Sequence, residues 1–124
     1  MCINRFNCNG RFHEAVLYNG TLYLSGKVDD TGSTVAEQTK ACLNKLADAL
    51  EAYGSSEERI LSATVYLANI NSFEEFNAAW EAWFKDGTQP VRTCVGAQLA
   101  APQYSIEIAL IAAVQEQVNA DPKK

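Results

Sequence analysis

Two charged residues stand out because each lies in a segment otherwise built from apolar side chains. Glu107 lies within the run Tyr-Ser-Ile-Glu-Ile-Ala-Leu-Ile-Ala, and Arg92 follows Pro90 and Val91 at the start of another apolar run. A buried carboxylate needs a cation or hydrogen-bond donors, or else it takes up a proton. Arg92 is the natural counter-charge, so one interpretation is a structural ion pair between the two residues. The other is a functional site, in which the planar fork of Arg92 holds the carboxylate of a small ligand.

The sequence offers few other groups for catalysis. Cys94 is expected on the same side of its strand as Arg92, but a catalytic thiolate needs a nearby base. The single histidine, His13, is far away in sequence and is expected in an exposed loop, so Cys94 is interpreted as a small core residue. The four cysteines have no C-x-x-C spacing, and no phosphate or dinucleotide motif is present. Neither a metal site nor a cofactor is therefore predicted.

Composition indicates one ordinary globular domain over residues 1–124. Apolar residues make up 48% of the 124 residues, charged residues make up 20%, and no linker or internal repeat is visible. The formal charge of -5 argues against nucleic acid as a partner, because binding phosphates requires clustered Lys and Arg. Neither a membrane span nor the apolar region of a signal peptide is present, so we expect a cytoplasmic protein. The tail over about 117–124 loses apolar periodicity and is predicted to be disordered.

The elements of the first half are marked by turn and capping residues. Asn19-Gly20 separates two alternating apolar segments and predicts a β-hairpin with a type I′ turn. Thr34 and Glu37 form a capping box before a helix, and Gly54 is a natural left-handed stop. The apolar stripe of this helix has the spacing of one face. It consists of Val35, Thr39, Cys42, Leu43, Leu46, Leu50 and Tyr53.

The second half predicts strand, helix, strand and strand. The first strand covers 60–68, with Leu61, Ala63, Val65 and Leu67 on one side. A second capping box over 72–75 opens a helix whose apolar stripe is aromatic, and Gly87 is expected to end it. Two strands follow over about 91–99 and 104–114.

The resulting order, β-β-α-β-α-β-β, predicts an α+β fold with a mixed sheet and both helices on one face. The last strand is apolar on both sides, since Ile106, Ile108 and Leu110 alternate with Ala109 and Ile111. Two helices cover only one face of a sheet, so another subunit must cover the other face. Homo-oligomerisation is therefore expected.

Six segments form a specific combination. They are Pro90-Val91-Arg92-Thr93-Cys94-Val95, Leu99-Ala100-Ala101-Pro102, Ile106-Glu107-Ile108, Tyr23-Leu24-Ser25-Gly26, Glu37-Gln38-Thr39 and Phe73-x-x-Phe76-Asn77-x-x-Trp80. Together they resemble the RidA/YjgF family, also known as the endoribonuclease L-PSP family, from about Val16 to Val114. The resemblance implies a chorismate-mutase-like fold and a homotrimer. Its sheets would form a central barrel with the helices outside and ligand clefts between subunits.

The resemblance also implies an activity, the hydrolysis of small enamines and imines such as 2-aminoacrylate to 2-keto acids and ammonia. Carried over by position, Arg92 would bind the substrate carboxylate, with help from the backbone of Cys94 and Gly26. Glu107 would position or protonate the reacting water and imine, and Asn77 would shape the cleft. No metal or cofactor is implied. Imines hydrolyse unaided in water, so positioning and one acid or base would suffice.

This chain departs from the commonest signature of the family at positions that leave its substrate open. Where typical deaminases of the family carry Gly-Pro-Tyr-Ser/Val-Gln, this chain has Gly10-Arg11-Phe12-His13-Glu14, so that Phe12 stands near the tyrosine position without a hydroxyl. Thr93 and Gln98 also depart from the commonest signature. The chain is thus similar to a divergent branch with a shortened N-terminus. The alternatives are a regulatory trimer that binds a small carboxylate without turnover and the older ribonuclease and translation-inhibitor function, which an acidic chain fits poorly.

Overall fold

The computed structural model describes residues 2–114 and shows an α+β fold with one mixed, six-stranded sheet. The predicted tail over 117–124 lies outside the described residues. The elements are β1 (Asn4–Cys8), β2 (His13–Tyr18), β3 (Thr21–Lys27), α1 (Val35–Ala52), β4 (Ile60–Leu67), α2 (Phe73–Trp83), β5 (Val91–Gly96) and β6 (Ile106–Ala113). Short 3-10 turns at Glu57–Arg59 and Ile70–Ser72 precede β4 and α2.

The strand order is β1-β2-β3-β6-β4-β5, which places β6 in the interior and β5 at an edge. Among the neighbouring strand pairs of residues 2–114, only β4 and β5 pair in parallel, and α2 forms the crossover between them. The predicted order lacks β1, which pairs with β2 at the other edge. This strand escaped prediction because it is polar and largely exposed. Its one apolar anchor is Phe6, whose ring stacks on Tyr53 at 4.9 Å.

Most of the local turn and cap predictions are confirmed. Asn19 and Gly20 both have positive φ, at 55° and 79°, as a type I′ turn requires. Thr34 and Glu37 form the capping box of α1, and Gly54 follows that helix with φ 89°.

The second predicted capping box is wrong. Ser72 precedes α2, but its side chain makes no capping hydrogen bond. Glu75 instead reaches across to α1, where its Oε2 accepts a hydrogen bond from the Ala36 amide at 3.1 Å. The carboxylate therefore satisfies the first turn of the neighbouring helix rather than its own. The helix also ends at Trp83, before Gly87, because Phe84 already has extended backbone angles.

Both helices pack on one face of the sheet, as predicted, and the core is buried between the helices and the sheet. A bulge between Ile60 and Ser62 changes the predicted face of β4, so that Ile60 is buried while Leu61 is exposed. The opposite face, called here the open face, carries exposed apolar side chains in the described chain. Those at or above 40% exposure in β3, β4 and β5 are Tyr23, Leu61, Val91 and Val95. This surface is the apolar face that the sequence predicted to need cover.

Candidate functional site

Arg92 lies on edge strand β5, where its side chain shares the helix-covered face with its neighbour Ala63. The guanidinium carbon lies 4.9 Å from the ring centroid of Phe76, 5.2 Å from that of Trp80 and 5.7 Å from that of Phe73. These rings hold the cation by cation–π attraction and fix its position. Within residues 2–114 no carboxylate lies within 4.0 Å of it. The planar fork thus keeps its hydrogen-bond donors for another group.

Cys94 points to the same side as Arg92, as predicted, since it lies opposite the buried Val65. Burial raises the pKa of its thiol, and the opposing influence of the Arg92 charge is smaller. The thiol is therefore protonated at neutral pH and lacks the thiolate character that nucleophilic catalysis needs. This agrees with the interpretation of Cys94 as a small apolar residue.

Asn77 lies on α2 between Phe76 and Trp80, on the stripe that carries the rings around Arg92. Its Oδ1 atom is buried and accepts no hydrogen bond from the described residues. Buried carbonyl oxygens nearly always accept a hydrogen bond, so this atom is free to accept one from a donor outside the described residues. Arg92, Cys94 and Asn77 make up what we call the arginine half-site.

Glu107 lies on β6 opposite Tyr66, and Tyr66 in turn lies opposite the exposed Val95 of β5. Its side chain consequently points to the open face, while Arg92 points to the helix-covered face. The structural ion pair between Arg92 and Glu107 is therefore wrong within one chain. No cation in the described part of the chain lies within 4.0 Å of the Glu107 carboxylate. Glu107 is half-buried rather than fully enclosed.

Gly26 brings the backbone of β3 directly against Glu107. The β3–β6 pairing shifts its register between Leu24 and Lys27, and a Cβ built on Gly26 would overlap Glu107 Oε2. Only a glycine leaves room for the carboxylate here. A glycine inside a strand often marks such a close approach of the backbone to another group.

Phe12 lies beside Gly26, in a surface depression of about 290 Å³ that both residues line. Its ring is 54% exposed, yet its backbone is fixed by a tight turn. Asn9 Oδ1 accepts hydrogen bonds from the amides of Arg11 and Phe12 at 2.9 and 3.0 Å, and the Asn9 amide donates to the Phe12 carbonyl at 3.1 Å. His13 starts β2 and is half-buried, so its predicted place in an exposed loop is wrong. We call Phe12, Gly26 and Glu107 the glutamate half-site.

An ion pair that the sequence did not predict lies at the wall of the same depression. Glu14 Oε2 accepts from Lys27 Nζ at 2.7 Å, and Oε1 accepts from Tyr53 Oη at 2.7 Å and Asn7 Nδ2 at 3.0 Å. These donors, with Lys27 first, lower the pKa of Glu14 to about 2. The hairpin register brings Glu14 and Lys27 into the same neighbourhood, since Ala15 pairs with Leu24, but no sequence signal identifies the ion pair itself.

A family model described as "Endoribonuclease L-PSP" matches residues 2–114. The chain belongs to this family. "RutC family protein YoaB" of Escherichia coli strain K12 is 40% identical over 114 residues, which cover 92% of this chain and 100% of the relative. A "RutC family protein" of Haemophilus ducreyi is 36% identical over 116 residues, covering 93% and 99%.

Solved structures of the L-PSP family agree with this fold. NMB1025 from Neisseria meningitidis, described as a member of the YjgF protein family, superposes with a TM-score of 0.91 at 38% identity. The match covers 94% of this chain and 98% of that one. The family and the fold class predicted from the sequence are thus confirmed. Among residues 2–114, no helix is long and apolar enough to span a membrane, and no cluster of three potential metal-ligating side chains is found.

Proposed function

We propose that this L-PSP family chain is a homotrimeric enamine/imine deaminase that hydrolyses small 2-imino and 2-enamino acids to 2-keto acids and ammonia. One observation carries the proposal. Three aromatic rings hold the Arg92 guanidinium in place, and no carboxylate of the described chain occupies its fork. A half-buried, pre-positioned arginine with a vacant fork suits a ligand carboxylate, the group that these substrates and products share.

The trimer is part of the proposal because one chain supplies two separate half-sites. Arg92 and Glu107 lie on opposite faces of the sheet, and the apolar open face needs cover. In a closed ring of identical subunits, each interface brings one surface of a chain to a different surface of the next. A cleft between subunits therefore unites the arginine half-site of one chain with the glutamate half-site of its neighbour.

The chemistry in that cleft is a hydration followed by loss of ammonia. An enamine substrate first takes a proton from solvent on its terminal carbon and becomes the iminium ion, and a 2-imino acid reaches the same ion by protonation at nitrogen. The oxygen of water then bonds to the iminium carbon while Glu107 accepts one proton of the water, which gives a neutral carbinolamine. Glu107 returns this proton to the amino nitrogen, the carbon–nitrogen bond breaks, and ammonia leaves while the hydroxyl proton passes to Glu107 and the keto group forms. Glu107 finally releases that proton, which replaces the one taken up at the start, so substrate and one water account for every atom and no redox partner is needed.

Each remaining site residue has a positioning part in the proposal. Arg92 binds the carboxylate and orients the imine carbon toward Glu107. The backbone at Cys94 and Gly26 lines the cleft, and Phe12 contributes an apolar wall. The unpaired Oδ1 of Asn77 accepts a hydrogen bond from the ligand or from ordered water.

The direct test measures 2-keto acid and ammonia release from imines that an amino-acid oxidase generates in the same vessel. The purified chain is expected to accelerate release beyond the spontaneous rate for at least one small 2-imino acid. If the chain binds 2-keto acids but accelerates no imine, the regulatory carboxylate-binding trimer replaces the enzyme. That alternative rests on the same vacant fork of Arg92, and the assay separates the two.

Two further expectations belong to this proposal. A reducing compartment such as the cytoplasm suits four cysteines that are all free thiols in the structure. Ribonuclease activity is not expected, because a chain with a formal charge of -5 opposes a phosphate backbone. Activity on RNA that disappears in an Arg92 or Glu107 variant would overturn this expectation.

A further inference from the structure

Gln38 is a buried polar residue on α1 whose side-chain amide both donates and accepts hydrogen bonds. It is 2% exposed, and its Nε2 donates to the backbone carbonyls of Gly32 at 3.1 Å and Gln103 at 3.0 Å. Its Oε1 accepts from the backbone amide of Ser105 at 2.8 Å. One side chain thus joins the loop before α1 to the segment that leads into β6.

The segment joined by Gln38 ends two residues before Glu107. The β3–β6 ladder extends only to the pair of Lys27 and Ile108, so the start of β6 needs other partners beyond that point. On the β4 side, the Ala68 amide donates to the Ser105 carbonyl at 3.0 Å. Gln38 supplies the remaining partner, the acceptor for the Ser105 amide.

We propose that Gln38 is a positioning residue for Glu107. By fixing Ser105 and Gln103 against α1, it sets where β6 begins and holds the Glu107 carboxylate against Gly26. This inference rests on the proposed function, since it assigns Gln38 a role in placing the group that would act on water. A buried amide with all three contacts made is rigid, and rigid support of this kind keeps a reacting group within the narrow tolerance that catalysis requires.

The chain offers a matched control at the other end of the same strand. Ser55 is 6% exposed, and its Oγ donates to the Ala113 carbonyl of β6 at 2.7 Å. Gln38→Leu and Ser55→Ala therefore each remove a buried anchor at one end of β6, but only the first anchor holds a residue within two positions of Glu107. Both variants are expected to melt at a lower temperature than the parent chain.

Only the Gln38 variant should lose turnover. For Gln38→Leu we expect kcat to fall on the order of 10- to 100-fold, because a displacement of about 1 Å can cost 100-fold. KM should stay within about threefold of the parent value, since Arg92 still binds the carboxylate. Ser55→Ala should keep the parent kcat. Equal kcat values in the two variants, or a loss in Gln38→Leu that lies wholly in KM, would overturn the proposal.

Gln38→Glu covers the case in which the leucine variant does not fold. It keeps the volume and an acceptor for the Ser105 amide while losing the donors to Gly32 and Gln103, and the same kcat criterion applies to it. Amide hydrogen exchange over 103–107 gives a readout independent of activity, and it should be faster by roughly tenfold in Gln38 variants and unchanged in Ser55→Ala. If the parent chain hydrolyses no imine, the proposed function fails. Unchanged exchange in the Gln38 variants would then refute the positioning role as well.

Discussion

Arg92 and Glu107 point to opposite faces of the same sheet. Arg92 lies opposite Ala63 on the helix-covered side, whereas Glu107 shares the open side with Tyr66 and Val95. No rotation of either side chain brings the two groups together through the intervening strand. A site that uses both residues must therefore be built from two chains, and this requirement can be tested without a structure of the assembly.

Mixing two inactive variants should restore activity. Arg92→Ala keeps an intact glutamate half-site, and Glu107→Gln keeps an intact arginine half-site. We expect the two chains to assemble at random into trimers when they are coexpressed in equal amounts. About a quarter of the clefts should then combine an intact arginine half-site with an intact glutamate half-site. Imine hydrolysis by the mixture, compared with each variant alone, measures this. A mixture that forms mixed trimers, as mass spectrometry reports, and remains inactive would place the cleft within one chain.

Arg92→Lys should fail nearly as badly as Arg92→Ala. Lysine keeps the charge and the attraction to the three rings, but it is a point donor on a flexible stem and cannot form a bidentate pair with a carboxylate. Losing such a desolvated contact costs on the order of 2–5 kcal/mol. That corresponds to roughly a 30- to 4,000-fold loss in kcat/KM.

The control for this substitution is Arg59→Lys, at an arginine in the turn before β4 that has no place in either half-site. It should keep the parent kcat/KM. Near-parent turnover in Arg92→Lys would show that charge alone suffices. Full imine hydrolysis in Arg92→Ala would assign Arg92 to the fold and remove the deaminase proposal.

Glu107→Gln should lower kcat and leave carboxylate binding intact. Glutamine keeps the volume of the side chain but can neither accept the proton from water nor return it to nitrogen, and such proton transfer contributes about 100- to 10,000-fold. The trimer should persist, and a 2-keto acid should bind as before in calorimetry. Loss of thermal stability together with unchanged turnover would instead make Glu107 a structural partner of the neighbour's arginine.

The sequence predicted the two helices, five of the six strands and the uncovered face because each has a local signal. Caps, the Asn19-Gly20 turn and apolar spacing all act within a few residues. The bulge at Ile60 moved Leu61 to the open face, and no local pattern marks such an insertion. The polar strand β1 lacked the alternation that would have revealed it.

The sequence identified which residues are candidates for the site, but it did not predict how they are arranged in space. A structural pair of Arg92 and Glu107 was one of two interpretations, because both residues are charges in apolar runs. The face of Glu107 could not be read from β6, since Ile106 and Ile108 on one side are matched by Ala109 and Ile111 on the other. Only the burial of alternate residues along β6 in the folded chain shows that the helices cover the side of Ile106 and Ile108.

Gly26→Ala should inactivate the chain while leaving it folded. The added methyl would overlap Glu107 Oε2, and because that atom ends a flexible side chain, we expect the carboxylate to swing away with little loss of stability. Turnover should fall to the level of Glu107→Gln. Adding Gly26→Ala to Glu107→Gln should cause no further loss, because both changes act on one group.

Gly96→Ala on β5 is the matched control, since its new Cβ would meet Ile70 Cβ at 3.3 Å and no carboxylate. It should keep most of the parent turnover. Parent-like activity in Gly26→Ala, with the chain folded by circular dichroism, would show that the placement of Glu107 against Gly26 has no part in the reaction.

The ion pair of Glu14 and Lys27 should make the stability of the fold depend on pH in the acidic range. Hydrogen bonds from Lys27, Asn7 and Tyr53 lower the pKa of Glu14 from 4.5 to about 2. A carboxyl group whose pKa is lower in the folded chain than in the unfolded chain stabilises the fold at pH values above its unfolded-chain pKa. This stabilisation is lost as the pH falls through its folded-chain pKa. Glu14→Gln should therefore melt below the parent chain at pH 7, and the difference should shrink between pH 4.5 and pH 2.

Glu58→Gln provides the comparison, because Glu58 and Lys85 form an exposed pair at 3.4 Å with 52% and 71% of their side chains exposed. Solvent screens exposed pairs of this kind, so this variant should melt close to the parent at every pH. The pKa of Asp29 is also lowered to about 2, chiefly by hydrogen bonds from Thr31. Protonation of Asp29 therefore lowers the stability of the parent and of both variants equally over the same pH range. The difference between parent and Glu14→Gln therefore isolates Glu14. A difference that stays constant from pH 7 to pH 2 would show that Glu14 acts through packing and not through its charge.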